Sequence, residues 1–259
     1  LDYATDPSSQ IACSIGGYVA ENAGGVHCLK YGLTVHNLLK VDILTVEGER
    51  WYGRGAADNK GQHAINLSAL TTGSSTQGFV INGQAASDRS GISVSNAGDV
   101  NGDGLADLIV GAAYSDPAAG TDAGRSYVVF GKTSTAAIDL SAIDTGTGGF
   151  VINGQGISDF NGGSVKGAGD VNGDGYDDVI IGGQNEATTA GGANSGASYV
   201  VFGKAGNIMP INLSSLTVAG NSSGFLISGQ SALDSLGYSV SSAGDINGDG
   251  LSDVIVGSI

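Results

Sequence analysis

The chain has 259 residues, of which 41% are hydrophobic and 14% are charged, and this is not the composition of a disordered protein. Its formal net charge of −15 argues against a nucleic-acid partner, because phosphate binding needs a basic surface. No run of about 18 apolar residues occurs, so we expect no membrane-spanning helix. The 46 glycines favour many short strands joined by tight turns.

The first 50 residues differ from the rest, because they hold both cysteines and two of the three histidines. Residues 14–25 contain two Gly-Gly pairs, which permit close approach of the backbone to a ligand such as a pyrophosphate. Such a stretch on its own is more often a structural turn.

The longer segment at residues 6–37 resembles the FAD-linked subunit of glycolate oxidase, where this region belongs to the flavin-binding domain. The resemblance covers about 50 residues and implies, as an alternative function, a remnant of an FAD-dependent 2-hydroxy-acid oxidase. The FAD contacts that it implies are Ile15, Gly16, Gly17, Asn22 and Gly25.

Residues 51–64 are similar to the Gly-Arg-Gly-x-x-Asp-x-Lys-Gly motif of zinc-dependent aminoacylase-type metallopeptidases. In that family the aspartate corresponding to Asp58 bridges two metal ions. The other ligands of such a site do not occur at usable spacing, so a glycine-rich connector is the favoured interpretation. We therefore predict a composite chain in which residues 1–64 form a short mixed α/β or irregular segment, and the sequence leaves open whether that segment folds by itself.

From Ile65 onward the chain is a tandem repeat. Similar segments begin at Ile65, Ile138 and Ile211, with a spacing of 73 residues. Each is followed by a Gly-Phe-x-Ile segment and then by a Gly-x-Ser-Val segment. We divide this part of the chain into repeats at residues 65–137, 138–210 and 211–259, of which the last is truncated.

Each repeat contains one loop of the pattern D-x-N-x-D-G-x-x-D. Side-chain oxygens at loop positions 1, 3, 5 and 9, with the carbonyl at position 7, form an all-oxygen shell that suits calcium better than magnesium. Carboxylates about 4 Å apart repel by roughly 4 kcal/mol at an effective dielectric near 20, so a dication would close such a loop. A polar turn is the alternative, but three copies in register argue against it. The predicted calcium ligands are Asp99, Asn101, Asp103, Leu105 and Asp107; Asp170, Asn172, Asp174, Tyr176 and Asp178; and Asp245, Asn247, Asp249, Leu251 and Asp253.

These loops are not EF-hands, because position 12 is Val110, Ile181 or Val256 instead of glutamate. A short β-branched run follows each loop and is typical of a buried strand. With the strand before the loop, a Tyr-Val-Val-Phe strand and the Gly-Phe-x-Ile strand, each complete repeat offers four short antiparallel strands. This predicts an all-β fold of β-propeller blades; a parallel β-helix usually has a much shorter period than 73 residues.

The Gly-x-Ser-Val segments, the aspartate loops and Ile109 to Ala113 resemble the FG-GAP repeats of the integrin α-subunit propeller and of bacterial surface proteins. The family's Phe-Gly dipeptide is degenerate here, as at Ser90-Gly91. The resemblance implies structural calcium, an incomplete propeller ring, and adhesion to an unidentified protein or glycan partner. It also implies an extracellular or cell-surface location within a longer secreted protein. No histidine lies in the repeats, and no catalytic cluster is apparent in their sequence.

Overall fold

A computed structural model describes residues 41–44, 50–53, 78–206, 210–218 and 220–259. The chain divides into two units, Leu1–Gly78 and Phe79–Ile259. In the first unit, strand β1 (Val41–Leu44) pairs antiparallel with β2 (Arg50–Gly53). The five residues predicted to contact FAD, together with Asp58, lie outside the described residues.

The second unit consists mainly of short strands. They are β3 (Ile81–Asn82), β4 (Ser93–Gly98), β5 (Asp107–Ala112), β6 (Arg125–Val129), β7 (Ile138–Asp139), β8 (Gly149–Asn153), β9 (Ser164–Gly169), β10 (Asp178–Gly183), β11 (Ala197–Val201), β12 (Ile211–Asn212), β13 (Gly224–Ser228), β14 (Ser239–Gly244) and β15 (Asp253–Gly257). Its helices are α1 (Leu140–Asp144) and a 3-10 helix at Leu213–Thr217. No helix in the described ranges is long and apolar enough to cross a membrane.

The strands form two four-stranded antiparallel sheets and the beginning of another. The first sheet has the order β4-β5-β6-β8, with β12 added in parallel at the β8 edge; the second sheet has the order β9-β10-β11-β13. The third sheet is the pair β14 and β15. The prediction of an all-β fold of antiparallel blade-like sheets is confirmed.

Each sheet takes its fourth strand from the Gly-Phe-x-Ile segment that follows its Tyr-Val-Val strand in the chain. The first sheet therefore ends with β8, although β8 belongs to the second sequence repeat, residues 138–210. The earliest Gly-Phe-x-Ile segment has only Ile81–Asn82 in a strand, paired in parallel with β7. A short strand is expected there, because the later Gly-Phe-x-Ile strands pair with a preceding Tyr-Val-Val strand and the sequence has no such strand before residue 78.

The inner strands of the two complete sheets, β5 and β6 in the first and β10 and β11 in the second, are buried on both faces, which explains their continuous β-branched runs. In β10, Val179 and Ile181 pack against the first sheet, whereas Ile180 on the opposite face packs towards the third sheet. The first sheet contributes Ile109, Val128 and Phe150 to the shared core. The sheets thus stack face to face, as propeller blades do.

The serine of the Gly-x-Ser-Val segment connects neighbouring sheets. Ser93 Oγ accepts a hydrogen bond from the N–H of Val165 at 3.0 Å, and Ser164 Oγ accepts one from the N–H of Val240 at 3.1 Å. Each bond joins the first strand of one sheet to the first strand of the next. The motif therefore has a packing role that its position in the sequence does not reveal.

We expect Ser164→Ala to lower the free energy of unfolding by about 1 kcal/mol, because the half-buried N–H of Val240 loses its acceptor. Ser239 is the matched control, since it holds the same motif position, is exposed and makes no side-chain hydrogen bond within the described part of the chain. Urea denaturation of both variants measures the difference. Equal effects of Ser164→Ala and Ser239→Ala would contradict the inter-sheet role.

Candidate metal centre

The aspartate loops join the first two strands of each sheet, as predicted: β4 to β5, β9 to β10 and β14 to β15. Glycines at positions 4 and 6 reverse the chain. Gly102 and Gly104 have φ angles of 74° and 84°, a region that favours glycine strongly. The same angles recur in the other two loops, so the three turns share one backbone conformation.

The aspartate at position 1 organises the backbone of its own loop. Asp99 Oδ1 accepts hydrogen bonds from the N–H groups of Gly102 and Asp103 at 2.8 and 3.0 Å. Asp99 Oδ2 accepts one from the N–H of Gly104 at 2.9 Å. Asp170 and Asp245 make the same three bonds, with distances between 2.7 and 3.2 Å.

Positions 3 and 5 are bonded to each other. Asn101 Nδ2 donates to Asp103 Oδ2 at 3.0 Å, and Asn101 Oδ1 accepts from the N–H of Asp103 at 2.9 Å. Asp103 Oδ1 accepts from the N–H of Leu105, the position-7 residue, at 2.8 Å. The equivalent bonds recur for Asn172, Asp174 and Tyr176 and for Asn247, Asp249 and Leu251.

The aspartate at position 9 has a different environment. Asp107 and Asp178 are fully buried. Asp107 Oδ2 accepts from the N–H of Val100 at 2.9 Å, and its Oδ1 accepts from the N–H of Gly131 at 2.7 Å. Asp178 makes the same pair of bonds with Val171 and Gly203, at 2.8 and 2.9 Å. This carboxylate therefore ties the loop to the end of the third strand.

Burial raises the pKa of both carboxyls. The pKa of Asp178 rises to about 6, first because of burial and to a lesser extent because of the nearby charges of Asp174 and Asp170. Two backbone hydrogen bonds oppose this rise. The pKa of Asp107 is likewise raised, first by burial and to a lesser extent by the nearby charges of Asp103 and Asp99. Burial thus disfavours the charged form of these carboxyls, and a bound cation would favour it.

Neighbouring loops are stacked on one another. The N–H at position 8 donates to the position-1 carbonyl of the preceding loop, at 3.2 Å from Asp177 to Asp99 and at 2.8 Å from Ser252 to Asp170. Asp177 Oδ2 also accepts from the N–H of Asp99 at 2.8 Å. The three loops therefore form one connected row.

Sequence reasoning missed the role of the glycine at position 4. A Cβ atom on Gly102 would lie 2.4 Å from Tyr176 Cε1, and a Cβ atom on Gly173 would lie 2.9 Å from Leu251 Cδ2. The position-7 side chain of one loop thus packs against the position-4 glycine of the preceding loop. The signal was present in the sequence, since all three loops read Asn-Gly-Asp-Gly.

The chemistry of the donor set fits calcium, because each loop offers carboxylate and amide oxygens within nine residues. A carboxylate oxygen already bonded to an N–H keeps further acceptor capacity for a cation. In the described ranges no group of three or more acidic, histidine or cysteine side chains is arranged to hold a metal ion. The side chains at positions 1, 3 and 5 bond instead to one another and to the backbone, so calcium binding would rearrange the Asn101–Asp103 contact.

We expect Gly102→Ala to destabilise the fold more than Gly248→Ala, by about 1–3 kcal/mol of overpacking. Both glycines have positive φ angles, of 74° and 78°, so the backbone strain is matched. Only Gly102 lies under a neighbouring side chain, whereas a Cβ atom on Gly248 would meet nothing within 4 Å. Urea denaturation of both variants is the measurement, and equal losses would argue against loop stacking.

Comparisons with known proteins fall into two groups. A family profile described as FG-GAP repeat matches residues 90–129, 161–201 and 236–258. Integrin alpha-4 of Xenopus laevis is 31% identical over 162 residues, which cover 62% of this chain and 14% of that protein. Integrin alpha-E of Mus musculus is 31% identical over 161 residues, which cover 62% of this chain and 12% of that protein.

A profile described as FAD binding domain matches residues 1–51. Glycolate oxidase subunit GlcD of Escherichia coli strain K12 is 67% identical over 75 residues, which cover 29% of this chain and 14% of that protein. The chain thus spans between 12% and 14% of the length of these curated relatives. It contains three segments that match the FG-GAP repeat profile and are similar to parts of integrin alpha chains, preceded by a segment similar to an FAD binding domain, as a composite chain would.

Proposed function

We propose that the three aspartate loops bind calcium and that the ion is structural. The observation that carries this proposal is the recurrence of one hydrogen-bonding scheme in all three loops, with two aspartates and one asparagine converging at each turn. The ligands in each loop are the side chains at positions 1, 3, 5 and 9 and the carbonyl at position 7. These are the fifteen residues identified from the sequence, from Asp99 to Asp253.

Calcium would supply positive charge among the carboxylates of each loop. The protein contributes the rest: Asp99 holds the backbone of the turn, and Asp107 joins the turn to the third strand of its sheet. Because the loops are stacked, ordering one loop orders the surface on which the next one packs. Calcium binding is therefore coupled to folding, and the stack of sheets becomes a rigid scaffold.

We further propose that this scaffold serves cell-surface adhesion or the recognition of a protein or carbohydrate, as part of a longer secreted protein. The similarity to integrin alpha chains supports this role. The loops between the second and third strands of each sheet, at the end away from the aspartate loops, also support this role. Their sequences differ between the repeats, whereas the aspartate loops are uniform. The loop from β5 to β6 reads Ala-Tyr-Ser-Asp-Pro after Ala112, whereas that from β10 to β11 reads Gln-Asn-Glu-Ala-Thr after Gly183. Variable loops on a rigid scaffold are the usual place for a binding site.

Thermal unfolding of the chelated protein, before and after calcium is added, tests the structural role. At a free calcium concentration one hundred times the Kd, each site stabilises the folded state by about 2.7 kcal/mol. We expect a rise in Tm that is reduced by Asp103→Ala, Asp174→Ala or Asp249→Ala and is smaller with magnesium.

Asp116→Ala is the control for these variants. Asp116 lies outside the aspartate loops and accepts one hydrogen bond from the N–H of Asp122 at 2.8 Å. Its replacement should lower Tm without changing the calcium-dependent increment. A protein whose Tm does not respond to calcium, or whose response survives replacement of all three position-5 aspartates, would overturn the proposal.

A second candidate function is FAD binding by residues 1–50, as a remnant of a glycolate or 2-hydroxy-acid oxidase. The specific support is the 67% identity to GlcD over 75 residues and the match to an FAD binding domain. Under this alternative, Ile15, Gly16, Gly17, Asn22 and Gly25 contact the cofactor.

This alternative predicts that the full chain, incubated with FAD and then desalted, retains visible flavin absorption. Gly17→Val should abolish the retained absorption, because a side chain there would keep the backbone away from the cofactor. Asp103→Ala should leave it unchanged, since that residue lies in the repeats. Absence of retained flavin would reject the alternative without affecting the calcium proposal.

A further inference from the structure

A buried carboxyl group, that of Glu186, joins the second sheet to the chain that enters it. Glu186 lies in the loop from β10 to β11, at the end of the sheet away from the aspartate loop, and is 2% exposed. Its Oε1 accepts hydrogen bonds from the hydroxyl of Tyr199 and from Nε2 of Gln155. Tyr199 belongs to β11, whereas Gln155 lies in the β8–β9 connector, residues 154–163, which leads from the first sheet to the second. The carboxyl therefore bridges the connector and the second sheet.

Polar atoms beside this carboxyl lack partners within the described part of the chain. Glu186 Oε2 is buried and accepts no hydrogen bond there. Asn161 on the connector is 1% exposed, and neither Oδ1 nor Nδ2 of its side chain is hydrogen-bonded. Asn161 Oδ1 reaches the turn before Glu186, because a Cβ atom on Gly183 would lie 2.5 Å from it and the Gly183 carbonyl accepts from the N–H of Glu186. Since buried polar groups are almost always hydrogen-bonded, this cluster needs a physical explanation.

The electrostatic surroundings of Glu186 disfavour its ionised form. Burial raises its pKa to about 7, and the nearby charge of Asp159, which is 8% exposed on the connector, adds to the rise. Hydrogen bonds from Tyr199, Asn161 and Gln155 oppose it. Within the described ranges no lysine, arginine or histidine forms an ion pair with Glu186. An ionised carboxylate would thus be buried beside a second acidic group without a cation, which is energetically costly.

The first sheet has a neutral hydroxyl at the equivalent place. Ser115 holds this position, and its Oγ donates to Asp88 Oδ2 at 3.1 Å. The tyrosine of that sheet, Tyr127, donates its hydroxyl to Oε1 of Gln84 at 2.6 Å, and Arg125 donates to the same oxygen at 2.9 Å. The tyrosine hydroxyl therefore meets a neutral amide in the first sheet and an ionisable carboxyl in the second. The first sheet is an internal control for any effect of that carboxyl.

We propose that protonation of Glu186 holds the β8–β9 connector against the second sheet and that its ionisation loosens this contact. A proton on Glu186 Oε2 can be donated to Asn161 Oδ1, so that one proton pairs two buried acceptors. Loss of the proton leaves a negative charge beside Asp159 with no cation to offset it. The junction between the first two sheets is therefore strongest in acid, and the position of the β10–β11 loop depends on pH.

The pH dependence of urea denaturation of the full chain, at constant calcium, tests this proposal. The folded state keeps the proton up to about pH 7, whereas an unfolded glutamate releases it near 4.5. The stability that the proton provides is fully present below pH 4.5 and is lost as the pH rises to about 7. Over that interval the unfolding equilibrium constant of the wild type should rise by up to about tenfold per pH unit relative to that of Glu186→Gln.

Glu186→Gln imitates the protonated carboxyl, because its amide keeps an acceptor for Tyr199 and offers an N–H to Asn161. The comparison of the two proteins cancels the pH dependence of Asp107 and Asp178, which are raised in pKa in both. An unfolding equilibrium that changes equally with pH in the wild type and in Glu186→Gln would overturn the proposal.

Titration of the Glu186 side-chain carboxyl carbon by NMR, assigned through bonds in the labelled wild type, does not depend on the folding of any variant. We expect a midpoint near pH 7. Tyr199→Phe should move the midpoint to higher pH, because it removes a hydrogen bond that favours the ionised form. Tyr127→Phe should leave it unchanged, since that hydroxyl bonds to Gln84. A midpoint near the ordinary value of 4.5, or equal shifts in the two tyrosine variants, would contradict the assigned role.

Discussion

The fold depends on one buried carboxylate in each complete sheet. Asp107 and Asp178 accept hydrogen bonds from the second residue of their own loop and from the glycine beyond the third strand. Three separate chain segments are thus held by a single side chain. Removal of that side chain would leave two N–H groups without an acceptor, and such a loss costs about 1–3 kcal/mol for each buried group. The same carboxylate is one of the proposed calcium ligands, so under that proposal folding and ion binding would share a residue.

The stacking of the loops extends this local arrangement along the chain. Each sheet is apolar on both faces and stable only between neighbours, as in other repeat architectures. The hydrogen bond between Ser164 and the N–H of Val240 fixes the spacing of the second and third sheets. The contact of Tyr176 with Gly102 fixes the spacing of the first and second sheets at their loops. Among the described residues the third sheet packs against the second sheet on one face, and its strand β15 is exposed.

The sequence allowed much of this to be predicted, because the information was local. The β-branched runs after each loop and the loop pattern itself specified strands, turns and candidate ligands. The pairing of β8 with β6 could not be read from the sequence, because strand partners within a repeat array are set by packing across the repeat boundary. The bonds of Asp107 to Gly131 and of Ser164 to Val240 were equally hidden, since each joins residues distant in the chain.

The number of calcium ions bound by each chain tests the central claim most directly. Titration of the metal-free protein by isothermal calorimetry should give three sites in the wild type and two in Asp174→Ala, because each loop holds its own ion. A stoichiometry of zero, or one that Asp174→Ala leaves unchanged, would show that the loops are polar turns held by their own hydrogen bonds.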